Sequence, residues 1–78
     1  MKELIEFISS SLVDDPTQVK VNEYGRGSQV TLKLRVGKED MGRVIGKNGR
    51  VANAMRTLLR VAAAQEGKRA TLNIVEPD

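Results

Sequence analysis

The apolar residues of this 78-residue chain change their spacing along the sequence, and that change of period limits the fold more than any other property. Leu4, Ile5, Ile8 and Leu12 recur at helical intervals, with Met1 extending the stripe backwards, so residues 2–13 are expected to form an amphipathic helix. Asp14-Asp15-Pro16 ends it, because a proline disfavours helical geometry in the residue before it. From Val19 the period becomes two. Val19 and Val21 alternate with Lys20 and Asn22, and beyond Gly25-Arg26-Gly27 the run Val30, Leu32, Leu34, Val36 alternates with Thr31, Lys33 and Arg35. This pattern predicts an antiparallel hairpin with one buried face. The helical period then returns in a short piece over about 39–45 and a longer one over 50–65, separated by Gly46-Lys47-Asn48-Gly49. Gly67 is placed as the cap of the longer helix. Ala70, Leu72 and Ile74 alternate with Thr71 and Asn73 as a last strand, and Glu76-Pro77-Asp78 is a frayed end.

The order α-β-β-α-α-β, with no repeat or linker to suggest a second domain, predicts a two-layer α+β domain in which helices cover a three-stranded sheet. The last strand arrives by a two-helix crossover. Beside the second strand it would run parallel to it, making the sheet mixed. On a helical projection of 50–65, Val51, Ala54, Met55, Leu58, Leu59 and Ala62 share an arc of about 140°, and Arg50, Asn53, Arg56, Thr57 and Arg60 an opposite arc of about 120°. The first arc is expected to face the core and the second to be polar and basic.

Composition narrows the chemistry. A chain of this size buries only about 60% of the surface it exposes when unfolded, which leaves little room for a deep catalytic cleft. It has no cysteine and no histidine, so disulfides, cysteine-ligated zinc, thiol nucleophiles and the commonest general acid-base side chain are all missing. Phe7 and Tyr24 are its only aromatic residues, too few for a platform on which bases could stack. No apolar run approaches a membrane span, and the cytoplasm is the expected compartment. The net charge of +3 is modest, but its distribution is not even. Between Met41 and Gln65 lie Arg43, Lys47, Arg50, Arg56 and Arg60 with no acid, a basic face suited to a polyanion.

Gly46-Lys47-Asn48-Gly49 is the most informative stretch. Two glycines three apart allow positive φ and close approach of backbone to a ligand. The helix starting near Arg50 directs its free N–H groups and positive dipole end into the same junction, and Lys47 adds a mobile charge. These features favour an oxyanion such as a phosphate. The stretch Gly42-Arg43-Val44-Ile45-Gly46-Lys47-Asn48 is not a P-loop: three residues rather than four separate the glycines, and Asn48 stands where a magnesium-binding Ser or Thr is needed. Glu39 and Asp40 are expected to favour the dipole of the short helix, as capping acids do.

The string Val44-Ile45-Gly46-Lys47-Asn48-Gly49 resembles the V-I-G-x-x-G signature of K-homology (KH) RNA-binding domains, and the element order resembles their type II topology. Lys2-Glu3-Leu4, Leu12-Val13-Asp14, Glu39-Asp40-Met41-Gly42-Arg43, Arg56-Thr57-Leu58, Ala62-Ala63-Ala64 and Glu66-Gly67-Lys68-Arg69 extend the likeness over nearly the whole chain. In this they resemble the small bacterial single-KH proteins of the KhpA family. The resemblance implies a non-enzymatic protein, without cofactor or metal, that holds single-stranded RNA. Gly46, Lys47, Asn48 and Gly49 would grip the sugar-phosphate backbone of about four nucleotides, flanked by Arg43 and Arg50. Val44, Ile45 and Ala52 would supply the helix-side wall of a base groove and Leu34 or its neighbours the sheet-side wall. Ala52 occupies a position where KH domains usually carry a large aliphatic, which implies a smaller groove. Further implications are a post-transcriptional regulator or RNA chaperone linked to cell growth and shape, and assembly as a homodimer or with a larger Jag-type KH protein.

Overall fold

The structure, a computed structural model, describes residues 1–77; Asp78, the last residue of the expected frayed end, lies outside them. Its elements are α1 (Lys2–Leu12), β1 (Lys20–Arg26), β2 (Gln29–Arg35), α2 (Met41–Ile45), α3 (Arg50–Gln65) and β3 (Arg69–Val75). Pro16–Gln18 and Lys38–Asp40 form single 3-10 turns before β1 and α2.

The sheet runs β1-β2-β3. β1 and β2 are antiparallel, with Lys20 opposite Arg35 and Arg26 opposite Gln29, so Gly27-Ser28 make a two-residue turn. β3 pairs parallel to β2, Leu72 opposite Leu32, giving the expected mixed sheet. The alternating pattern settles which side is covered: Val21, Val30, Leu32, Leu34 and Leu72 face the helices and join Ile5, Val44, Met55 and Leu59 in one core. Among the described residues no helix is long and apolar enough to cross a membrane.

The face that α3 buries is turned from the expected one by most of the 100° that separates neighbouring residues. Ala52, Met55, Leu59 and Ala63 are buried, whereas Ala54 is exposed and Leu58 keeps 51% of its surface in solvent. Met55 and Leu59 carry the contact of α3 with the core, and Ala52 and Ala63 extend the same buried face at either end of it. The helix ends in a Schellman arrangement: Lys68 N–H donates to the Ala63 carbonyl at 2.8 Å and Gly67 N–H to that of Ala64 at 3.0 Å.

Two acids organise the connections. Asp15 accepts from the Thr17 backbone and, through Oδ2, from Gln18 Nε2 at 2.7 Å. The Gln18 side chain, with help from Thr17, holds the Asp15 carboxyl below its ordinary range. Asp40 does not cap α2, contrary to expectation. Its buried carboxylate accepts from Asp14 N–H at 3.0 Å and Asp15 N–H at 3.2 Å, and pairs with Arg43 Nε at 3.3 Å. The turn after α1 is thereby fastened to the start of α2, and backbone donors half-hidden from water are satisfied.

Candidate nucleic-acid interface

Between α2 and α3 the chain turns through three residues at positive φ: Gly46 (+76°), Asn48 (+57°) and Gly49 (+77°). Asn48 is the only described residue other than glycine with positive φ, a conformation that asparagine tolerates better than most. Gly46 combines φ 76° with ψ 171°, a region almost closed to residues with a Cβ. Space forbids a side chain there as well, since a Cβ would sit 2.5 Å from Val51 Cγ2 and 2.8 Å from Val51 N. At Gly49 a Cβ would meet only Asn53 Nδ2, at 3.7 Å, so that glycine is open to an approaching ligand.

The turn leaves donors free. Gly46 N–H bonds to the Gly42 carbonyl and Gly49 N–H to that of Gly46, but those of Lys47 and Asn48 have no partner among the described residues. Lys47 and Arg50 are exposed and make no ion pair among the described residues. Two N–H groups, two unpaired cations and the N-terminus of a 16-residue helix thus converge on a backbone stripped of side-chain bulk. Arg43, expected to flank the same site with a free charge, is instead tied to Asp14 Oδ2 at 2.9 Å and to Asp40 Oδ1. Three residues of separation on a helix bring Arg43 over Asp40, and the pairing cancels most of its charge locally.

The expected groove lining needs a similar correction. Leu34 and Val44 have no exposed surface and Ala52 only 3%, so all three lie beneath the surface as core residues. Leu34 belongs to the central strand, which has neighbours on both sides. Ile45, 37% exposed, is the one expected wall residue that presents apolar surface. The strand beside α3 with an open edge is β3, whose outer edge pairs with no strand among the described residues. Along that edge Arg56 donates from Nε to the Leu72 carbonyl at 3.3 Å and from Nη1 to Asn53 Oδ1 at 3.2 Å. Arg60 overlooks the same edge, where a cleft of about 220 Å³ bounded by Arg56, Arg60, Ala70, Thr71 and Leu72 meets one of about 460 Å³ that reaches Lys68 and Arg69. The periodicity had put Arg56 and Arg60 on the polar face of α3; only the strand order brings them beside an open sheet edge.

Two helices interrupted by a G-x-x-G turn, packed on a mixed sheet with an open edge strand beside them, define a KH domain of the α-β-β-α-α-β type. The chain belongs to the KhpA/KhpB KH-domain family, whose model matches residues 2–74. It is similar to proteins named RNA-binding protein KhpA from Clostridium perfringens (49% identical over 75 residues) and Clostridium acetobutylicum (48% over 75), in each case across 96% of this chain and 100% of the relative. The non-enzymatic reading of the sequence agrees with that family. Among solved structures, an Aquifex aeolicus Era variant bound to GDP and AlF4⁻ matches with a TM-score of 0.61 at 21% identity, over 94% of this chain and 28% of that one. A second Era structure, in complex with MgGDPNP and nucleotides of 16S ribosomal RNA, matches with a TM-score of 0.56 at 22% identity and the same coverage. At these identities the likeness to Era is one of fold.

Proposed function

We propose that the chain acts as a single KH unit that holds single-stranded RNA by its sugar-phosphate backbone at Gly46-Lys47-Asn48-Gly49, in the cytoplasm, as a post-transcriptional regulator or RNA chaperone. The observation that carries this reading is the turn itself: positive φ at three of four residues, free N–H groups on the two between the glycines, and no acid to compete. The names of the relatives support RNA as the polyanion. Arg50 adds charge at the turn, Ile45 offers an aliphatic surface to a base, and Leu34, Val44 and Ala52 set the shape from below. Arg56 and Arg60 continue the track along β3. Arg43 acts by holding α2 in place rather than by meeting phosphate.

Three or four phosphate contacts on single-stranded RNA give a log-log salt slope of about −2 to −3. Replacing Lys47 and Asn48 with aspartate is expected to abolish binding of a short oligonucleotide in fluorescence anisotropy while the circular dichroism spectrum stays that of the parent. Full binding by the folded double variant would disprove the loop assignment.

A second reading, assembly as a homodimer or with a larger Jag-type KH protein, rests on one observation. Ala54, Leu58 and Val61 form an exposed apolar strip on the flank of α3 away from Arg56 and Arg60, Val61 being 54% exposed. A partner on this strip would leave Arg56 and Arg60 clear and raise avidity by joining two weak sites. Sedimentation is expected to show Leu58→Asp as a monomer where the parent self-associates; a parent that is monomeric and captures no KH partner removes this reading.

A further inference from the structure

The side of the sheet turned away from the helices carries its own charge pattern. The pairing register aligns Lys20, Asn22, Tyr24 and Arg26 of β1 with Arg35, Lys33, Thr31 and Gln29 of β2, and these with Val75, Asn73, Thr71 and Arg69 of β3. All twelve point outward, and all except Thr31 and Val75, which are half-buried, are exposed. Five are basic and none is acidic. Lys20, Arg26, Lys33, Arg35 and Arg69 make no ion pair among the described residues. None of the nine acids among the described residues lies on this face or in the 41–65 window; they fall on α1, the connecting turns, the helix-facing side of β1 and Glu76 after β3. One small domain therefore has two cationic surfaces, on opposite layers.

We propose that the open sheet face is a second RNA contact, which takes the phosphate backbone of nucleotides beyond those held at the Gly46–Gly49 turn. Its chemistry points to a polyanion with sugar hydroxyls rather than to a protein or a membrane. Protein interfaces have an apolar, charge-depleted centre, and stable membrane anchoring needs apolar side chains beside the charges, of which this face offers only Tyr24 and the half-buried Val75. Here the centre is Lys33 with its Nζ 5.4 Å from the Tyr24 ring centroid, surrounded by Thr31, Thr71, Asn22 and Asn73 as hydrogen-bonding groups. The cations lie at both ends and in the middle, Lys20 with Arg35, then Lys33, then Arg26 with Arg69, over about 20 Å of strand. The two surfaces are continuous at one place. Arg69 belongs to the outer face and also borders the larger cleft with Arg60, so a strand following Arg50, Arg56 and Arg60 along β3 reaches the outer face by turning over its edge. Base identity plays no part in such a contact, which reads only charge and spacing.

The proposal rests on the RNA reading above, but its test separates the two. Lys33→Gln/Arg35→Gln is compared with the parent and with Lys2→Gln/Lys38→Gln, which removes the same charge from outside both surfaces. Anisotropy titrations use a pentanucleotide and a single strand of about 20 nucleotides. The sheet variant is expected to bind the pentanucleotide as the parent does and the long strand about tenfold more weakly, with the salt slope reduced by about 1.4 for the two lost contacts. The control pair is expected to change neither. Equal weakening for both lengths, equal weakening by the control, or unchanged long-strand binding would overturn the second contact. So would a sheet variant that loses affinity only for vesicles containing phosphatidylglycerol. Failure of the loop reading shows differently, as pentanucleotide binding that survives aspartates at Lys47 and Asn48. A readout without mutation exists as well. Tyr24 is the single tyrosine and the chain has no tryptophan, so tyrosine emission comes from this face alone. It is expected to change on adding the long strand and not the pentanucleotide; an unchanged signal with the long strand bound would also overturn the proposal.

Discussion

Gly46→Ala should cost this protein a large part of its stability, whereas Gly49→Ala, in the same turn and at nearly the same φ, should cost little. At Gly46 two penalties combine. The φ/ψ pair of 76° and 171° is worth about 1–3 kcal/mol for a residue with a Cβ. The new methyl would press on Val51 Cγ2 at 2.5 Å and on the Val51 backbone nitrogen at 2.8 Å. Overpacking of this kind adds about 1–3 kcal/mol, because the backbone nitrogen cannot rotate away. The reduced entropy of the unfolded chain returns ~0.4–1 kcal/mol. The net loss is about 2–5 kcal/mol, against a total of roughly 4–12 kcal/mol for a domain of this length. At Gly49 the left-handed conformation alone is penalised, the nearest atom being 3.7 Å away, and the net loss is about 1 kcal/mol. Thermal unfolding followed by circular dichroism should place Gly46→Ala at least about 10 °C below the parent and Gly49→Ala about 4–8 °C below it. Melting points of the two variants within about 3 °C of each other would refute the steric argument. On the RNA reading, Gly49→Ala should still weaken binding, since its methyl occupies the space a phosphate needs.

Two further substitutions test the framework around the turn. Asp40→Ala strips the Asp14 and Asp15 N–H groups and Arg43 of their shared acceptor and should cost about 2–4 kcal/mol in urea denaturation, with faster amide exchange at residues 14 and 15 as the specific sign. Asp40→Asn, which keeps one oxygen, should cost less. Gly42→Ala should do the opposite: the residue is helical, a Cβ there meets nothing within 4 Å, and the gain of about 0.5–1 kcal/mol should raise the melting temperature by several degrees.

Much of the fold is legible in the sequence because it follows from strong local periods. The bounds of α3, the β1–β2 hairpin, the parallel β3 and the break at 46–49 all rest on spacing and on glycine. What spacing conceals is equally specific. Ala52 and Ala63 are buried and Leu58 is not, because the face of α3 that packs inward is centred near Leu59, while a hydrophobicity pattern weights the large side chains and pulls the expected face towards Leu58. The Asp14–Arg43–Asp40 cluster joins residues as much as 29 apart, and no local signal announces it. Arg43 reads as a free cation until the fold brings two carboxylates to it. The resemblance to KH domains implies a sheet-side groove wall at Leu34 or its neighbours, on β2. The alternation of β2 tells only which of its faces is buried; that it is the central strand, with the open edge beside α3 left to β3, follows from the strand order.

That edge has a consequence for the order of events in folding. The β1–β2 hairpin closes over a two-residue turn, but β3 can pair with β2 only after a connection that includes both α2 and α3 has been laid down. One side of the cleft beside α3 is therefore the most non-local strand of the fold, so on the RNA reading no partly folded chain without β3 has a complete track. Ligand binding along it and the docking of β3 are one linked equilibrium. An occupied track should deepen amide protection in β3 first, well before it alters the local hairpin.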